Sequence, residues 1–538
     1  MKTNRVYTDG KAGAVLSFED VSGGSDCLVR VGICRKTVSV DVGGDYVIPE
    51  YMPEIRKLIR IDVRPSPPTR FASASEARIG GSLEYGTLYV GADGKLYSAE
   101  FSAEYDTSVP FDESSEYDPS ENITVIADIL PESVSGRVMG ARKINVKCRL
   151  SARVGALGGR RIKNDGVPAD DHIQRLCKKQ EHFTELVGTN DEIELYFEPE
   201  FEGNAGECIC SDCEVFVEEA SSGEGYVDCK GYVFVRMMIR GEHDGTYTLS
   251  RKIPFSEIVE IEGNKTESCC CAYGTCTYVK PEWKNDDGDG ASENKKRVRV
   301  GICLNATAFK RGELEYIKDA YSTERECSIE TEEYALISEA FCKNGNMTFE
   351  AVCDDEETAL DAEGAVDVAA YASADEVERE DGKCFVKGKC RFCVVHKSNE
   401  LDGGAEMLSL EKEFPFRYEF PDSLGENENA RIECRAFAID PRVRTENGTA
   451  KFGCELAIVY KMTVEKKINC IKAVRLGEAH PKKKSGFTVC YPDRSDDLWS
   501  VAKKYKTTAA DITADNGIDA VSELDTAYLP EGKKYIIV

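Results

Sequence analysis

The sequence predicts a mainly β protein: three tandem antiparallel β-sandwich-like domains followed by a small βααβ module. Three observations carry that expectation. Strands with strict period-two alternation recur in three similar sets. Equivalent residues of the closing strand in each set, Leu150, Leu304 and Leu456, stand about 150 residues apart, too far for a solenoid and right for whole domains. The last part of the chain then changes to helical spacing between two short strands.

Taken in order, residues 46–63 read as a helix started by a proline, with Ile55, Leu58 and Ile59 on one side, running into a strand. The first alternating strand puts Ile79, Gly81, Leu83 and Tyr85 on one face. Its second copy aligns Val227, Cys229, Gly231, Val233, Val235 and Met237 against Asp228, Lys230 and Arg236; its third aligns Cys384, Val386, Gly388, Cys390, Phe392 and Val394 against Lys387, Lys389 and Arg391. Each is followed by a Pro-Phe pair, Pro110-Phe111, Pro254-Phe255 or Pro415-Phe416, suited to pinning a strand to a core. A closing strand completes each set, with inward residues Ile144 to Ala152, Val298 to Ala306 and Ala450 to Ile458. Between sets, 171–176 opens a short helix, 285–294 is a polar loop, and 354–381 reads equally as a loop or an amphipathic helix. In the tail, 487–489 forms a strand. Ser495 or Asp496 caps a helix striped by Leu498, Val501, Ala502 and Tyr505; Thr508 and Asp511 open a second helix ending at Asn516-Gly517; Pro530-Glu531-Gly532 turns into a last strand.

Lys+Arg 69 against Asp+Glu 97 leaves a formal charge of −28, which argues against nucleic acid or anionic lipid as a main partner. The sequence lacks a leader-like apolar region at its start and any stretch long enough for a membrane helix, so no direct membrane insertion is expected and the chain is expected to stay inside its cell. The 23 cysteines are then expected to be reduced, and no disulfide framework is read from them.

No phosphate loop, zincin helix or nucleophile elbow occurs, and the five histidines show no partner that would make a base, so the expectation is a protein without catalysis or cofactor. The rival signal is thiol-based: Cys208, Cys210, Cys213 and Cys276 could together supply four thiolates to zinc, although packing explains most cysteines better. One stretch opposes the global charge. Between Arg137 and Lys163 there are nine basic residues and no acid, including Arg142, Lys143, Lys147, Arg149, Arg153, Arg160 and Arg161. These read as a solvated face that blunts a sheet edge, or as a dock for an acidic partner.

The tail, FTVCYPDRSDDLWSVAKKYKTTAADITADNG followed by YLPEGKKYIIV, resembles a LysM domain, departing from the family pattern where Pro492 to Asp497 replace the usual Gly-Asp-Thr turn. The β sets resemble SPOCS repeats, the β modules of bacterial spore-coat morphogenetic proteins, through YVIPEYMPEI, KDAYSTERECSIE and the three Gly-strand, Pro-Phe, closing-strand units. The resemblance divides the chain into an N-terminal strand/helix segment (1–66), SPOCS-like domains (67–165, 166–315 and 316–476), a basic linker (477–485) and a LysM-like domain (486–538). It implies a non-enzymatic scaffold in endospore coat assembly, acting from the mother-cell cytoplasm at the forespore surface. The implied partners are the coat's basement-layer ATPase and other coat proteins. The alternative is a LysM protein that binds the GlcNAc glycan of peptidoglycan. In either case the binding groove lies between two loops carrying Arg494, Ser495, Asp496, Trp499, Asn516, Gly517 and Ile518. The whole is expected to be a string of separately folding modules, each gripping weakly.

Overall fold

The structure is a computed structural model. It describes residues 27–538 apart from 113–116, 119, 163–166, 168–169, 171, 201–204, 242–244, 284–295, 354–363, 400–404, 421–429, 447–448, 482–485 and 519–522. The expected polar loop at 285–294 and most of the linker therefore lie outside the described residues.

The chain is mainly β, and the same six-strand plan is built three times. In the first sandwich one sheet runs β1 (Cys27–Val47), β7 (Lys143–Ile162), β6 (Thr124–Gly140). The other holds β2 (Ile55–Pro65), β4 (Glu76–Gly91) and β5 (Leu96–Pro110), with a short extra β3 (Thr69–Ala72). The second uses β8 (Ile173–Phe197), β13 (Lys296–Ser322) and β12 (Cys269–Trp283) against β9 (Ala205–Gly223), β10 (Tyr226–Gly241) and β11 (Thr246–Glu260). The third uses β14 (Arg325–Cys353), β19 (Thr449–Ala479) and β18 (Arg431–Glu446) against β15 (Ala365–Glu380), β16 (Lys383–Asn399) and β17 (Ala405–Glu419). Each first strand pairs antiparallel with its own last strand, and β8 also meets β14 at Phe183 and Ile337, so that β12-β13-β8 and β14-β19-β18 join as one six-stranded sheet.

The inward residues expected from alternation are the cores. Ile79, Leu83, Tyr85, Ile144, Val146 and Leu150 share one cluster; Val227, Val233, Val298 and Leu304 a second; Val386, Phe392, Phe452 and Leu456 a third. The repeated glycine also has a physical reason. Gly231 faces Phe255 across β10 and β11, and Gly388 faces Phe416 across β16 and β17. A Cβ at Gly231 would strike the Phe216 carbonyl, and one at Gly388 the Ser373 carbonyl and the Phe416 ring. The missing side chain lets a neighbouring backbone and an aromatic ring close over the strand. In the first sandwich the partner of Gly81 is Tyr105, whose ring occupies the space a Cβ would need. The true equivalent of the later Pro-Phe pairs there is thus Glu104-Tyr105. Pro110-Phe111 lies beyond it, at the end of β5, although Phe111 still joins the core.

Two expected helices are strands. Residues 46–63 are the end of β1, a turn, and most of β2, and Ile173 already belongs to β8. The cause is burial on both faces. Leu58, Ile61 and Val63 pack on the first core while Ile59 enters a cluster shared by all three sandwiches; Ile173 and Leu176 likewise enter two different clusters. Apolar residues on both sides of a strand erase the period of two and imitate i, i+3, i+4 spacing. The ambiguous stretch ends as β15, and its tight turn to β16 uses Asp381 (φ 50°) and Gly382 (φ 75°), the left-handed pair that a two-residue hairpin requires. Residues 27–65 hydrogen-bond into the first sandwich rather than preceding it, and β13 carries the second sandwich through Ser322.

The three units pack side against side instead of hanging separately. Ile59, Leu88, Ile209, Met238, Val366 and Val395 form a cluster drawn from all three. Beside it lies a buried charge network: Arg60 Nη1 donates to Asp367 at 2.6 Å and its Nε to Asp62 at 2.9 Å, Arg236 approaches Asp367 at 3.5 Å, and Thr248 Oγ1 donates to Asp367 at 3.1 Å. A second cluster joins Val29 and Ile162, Leu314 and Tyr316, and Tyr334, Leu336, Ile468 and Cys470. Two charges placed outward on their strands, Arg60 and Arg236, are therefore interior to the assembly, and both are met by Asp367 of the third sandwich.

Candidate functional site

The tail folds as β20 (Thr488–Cys490), α1 (Leu498–Tyr505), α2 (Ala509–Asn516) and β21 (Tyr535–Ile537), with β20 and β21 antiparallel. Leu498, Val501 and Ala502 bury the expected stripe. The cap of α1 is Asp497, not Ser495 or Asp496. Its carboxylate accepts from the Ser500 N–H at 2.6 Å while Ser500 Oγ accepts from the Asp497 N–H at 3.1 Å, a complete capping box. Thr508 Oγ1 accepts from the Asp511 N–H at 3.0 Å, and Gly517 (φ 60°) closes α2 in the left-handed conformation.

The seven candidate groove residues divide. Trp499 is 5% exposed and points at the second sandwich: its Nε1 donates to Asp319 at 2.8 Å and its ring meets Tyr321 edge-on at 4.9 Å. Lys503 Nζ donates to the same carboxylate at 2.7 Å, and Tyr321 OH donates to the Thr507 carbonyl at 2.7 Å. Lys178 and Lys318 both reach Asp525. Burial pushes that carboxyl up, but the hydrogen bonds from the two lysines outweigh it and hold it below its ordinary value. Trp499 thus fixes the module to β13 and is unavailable to a ligand. Asn516 is a staple: Nδ2 donates to the carbonyls of Ile512 and Ile536, and Oδ1 accepts from the Ile536 N–H at 2.6 Å. Ile518 packs on the module's core, and Asp496 accepts from the Asp493 N–H at 3.0 Å. Arg494, paired with Glu531, and Ser495 and Gly517 remain exposed.

A surface absent from the sequence reading lies on the module's sheet. Phe487, Val489 and Tyr491 alternate along one edge and Ile536 and Val538 along the other, with exposures from 39% to 68%, and Val489 pairs with Ile536. The alternation was the available signal; a three-residue strand is too short for it to stand out.

The basic run is mostly consumed. Arg149 pairs with Asp41 at 2.9 Å and Lys143 with Asp45 at 2.7 Å, both acids supplied by β1; Arg161 pairs with Asp118 and Glu121; Arg142 donates to the Pro49 and Met52 carbonyls. Arg153 donates to the Cys434 and Ala374 carbonyls, and Arg160 pairs with Glu332 at 2.8 Å and covers the Tyr334 ring, so both face the third sandwich. Lys147 is exposed. Lys163 lies outside the described residues.

The four-thiolate set does not assemble. Cys213 and Cys276 form a disulfide, with Cα atoms 5.9 Å apart, that joins β9 to β12 and so links the two sheets of the second sandwich. The expectation of wholly unpaired thiols is corrected there. Cys208 packs toward the second core, where burial pushes its thiol up to about 12, while Cys210 joins the cluster shared by three sandwiches. Cys390 and Cys454 bring their Sγ atoms to 3.7 Å inside the third core. Comparison with known proteins finds no family model, no curated protein and no solved structure that matches this chain.

Proposed function

We propose that the chain is a non-enzymatic scaffold of the bacterial endospore coat, of the SPOCS-plus-LysM class and SipL type, acting from the mother-cell cytoplasm at the forespore surface. The observation that carries the reading is the exposed apolar face of the terminal module. Five neighbouring apolar side chains on a two-stranded sheet are the kind of patch that marks a protein-binding surface. The triple sandwich serves as a rigid base, and the module, held to it by Trp499 and Asp319, presents that face outward. The basement-layer ATPase of the coat is the proposed partner. The test is a fluorescent fusion in a sporulating cell. Forespore recruitment that is lost in the Val489→Glu, Ile536→Glu double variant supports the reading, and diffuse signal from the unaltered chain removes it.

Glycan binding is the second reading, favoured by Arg494, Ser495, Gly517 and the 62%-exposed Tyr528 at the loop rim of the same module. A pull-down with purified peptidoglycan separates the two: retention at physiological salt that survives the double variant favours glycan.

A further inference from the structure

The second and third sandwiches also meet through thiols. On β12, alternation turns Cys270 into the second core and Cys269 and Cys271 away from it, toward β14 of the third sandwich. Two contacts hold β14 against that face. Cys269 Sγ donates to the Ala340 carbonyl at 3.6 Å, and Asn344 Nδ2 donates to the Ala272 carbonyl at 3.3 Å and to the Val217 carbonyl at 2.6 Å. Cys342 stands midway between Ala340 and Asn344 on β14, and its thiol faces both Cys269 and Cys271. Its hydrogen bond holds the Cys269 thiol below its ordinary value against the opposing effect of burial. The same contact, the one to Cys271 and burial push the Cys342 thiol up. Cys269 and Cys342 are only half-buried, and Cys271 lines a cleft of about 550 Å³, so the trio is open to a small reagent. Cys390 and Cys454, by contrast, are 0% and 1% exposed inside the third core. A thiol that ionises readily, within reach of solvent and beside a second sulfur, is the arrangement that peroxides oxidise selectively.

We propose that Cys269 and Cys342 are a covalent modification site, oxidised by hydrogen peroxide to a disulfide that joins β12 of the second sandwich to β14 of the third. The Cys269 thiolate attacks one peroxide oxygen, the O–O bond breaks, and Cys269 becomes a sulfenic acid while the departing hydroxide takes up a proton as water. The Cys342 sulfur then attacks the sulfenic sulfur. The S–S bond forms, the sulfenic hydroxyl leaves, and it carries off the Cys342 proton as a second water. Two thiols have lost two electrons and two protons, and one peroxide has been reduced to two waters. The bond adds a covalent tie to the packing that already joins these two sandwiches. This assignment is independent of what the terminal module binds.

The test exposes the full chain to hydrogen peroxide, blocks the remaining thiols with iodoacetamide, digests with trypsin without reductant and reads linked peptides by mass spectrometry. The expected result is a peroxide-dependent link between the peptide that carries Cys269 to Cys271 and the peptide that carries Cys342, formed at least tenfold more slowly in Cys269→Ser. Absence of that link, or an unchanged rate in Cys269→Ser, overturns the proposal. Should that variant fail to fold, fragmentation of the linked peptides from the unaltered chain decides. A bridge from Cys269 to Cys342 supports the site, and any other pairing between the two peptides refutes it.

Discussion

Replacing Asp367 by Ala tests whether the three sandwiches are one cooperative body. The Asp367 side chain is 2% exposed and accepts from Arg60 and Thr248 while facing Arg236; the two guanidinium groups are 6% and 10% exposed. Burial pushes the Asp367 carboxyl up, but Arg236 and Arg60 outweigh that and hold it below its ordinary value. Truncation leaves Asp62 and Asp212 as the remaining carboxylates beside Arg60 and Arg236, with a cavity where the shared acid stood. Breaking a buried pair from one side costs about 3–5 kcal/mol, a large share of the roughly 5–15 kcal/mol that holds a domain folded. The assay is urea unfolding of the full chain, with proteolytic cleavage between sandwiches as a second probe. Asp41→Ala is the control, since Asp41 and Arg149 are 74% and 53% exposed and their pair is screened by solvent. Asp367→Ala is expected to lower the midpoint and admit protease, and Asp41→Ala to do neither. Equal behaviour of the two variants would mean that the junction contributes nothing and the sandwiches are independent.

Three further outcomes are expected. Burial, reinforced by Asp212, raises the Glu214 carboxyl to about 8 against the pull of Arg236 and Arg64, so between its unfolded value of about 4.3 and 8 the folded chain holds a proton that the unfolded chain releases. Stability from this group is fully present below that window and is lost as pH rises through it; Glu214→Gln should gain on the parent from pH 5 to 8, and parallel stability curves would refute this. Trp499→Phe removes a hydrogen bond to a carboxylate, worth about 1.5–3 kcal/mol, and should speed proteolysis between the third sandwich and the terminal module by about ten- to a hundredfold; an unchanged cleavage rate counts against the docking. Gly388→Ala forces a Cβ into the Ser373 carbonyl and should cost about 1–3 kcal/mol in thermal unfolding, whereas Gly140→Ala, in open space, should cost less; the reverse order would show that the glycine is not kept for close approach.

What could be read from the residues depended on how many faces each element covers. Strands whose outward face keeps charged residues at alternate positions announced themselves, as β7, β10 and β16 did even though Met238 and Val395 at the far ends of the last two enter the shared cluster, and so did the capped helices of the terminal module. Strand β2 and the start of β8 did not, because neighbours cover both of their sides. The site was legible only in outline. The βααβ order of the module was legible, but Trp499 looks equally suited to a ligand and to a dock until Asp319 is placed beside it, and Asp319 is 180 residues away in sequence. The basic run likewise appeared free because the acids that answer it, Asp41 and Asp45 on β1, lie about 100 residues earlier and reach it only by cross-strand pairing.

By itself, then, the amino-acid order determined a mainly β chain, the triple recurrence, the inward residues of each core and the βααβ order of the tail. These are local or periodic properties, set by alternation, capping and turn chemistry within a few residues. Only the tertiary structure decided that the sandwiches share buried charges, that two cysteines 63 residues apart meet, that Trp499 turns inward and that Arg153 and Arg160 face the third sandwich. Each of those facts is a relation between distant segments, and the sign of a charge or the size of a side chain carries no record of which remote partner it will face.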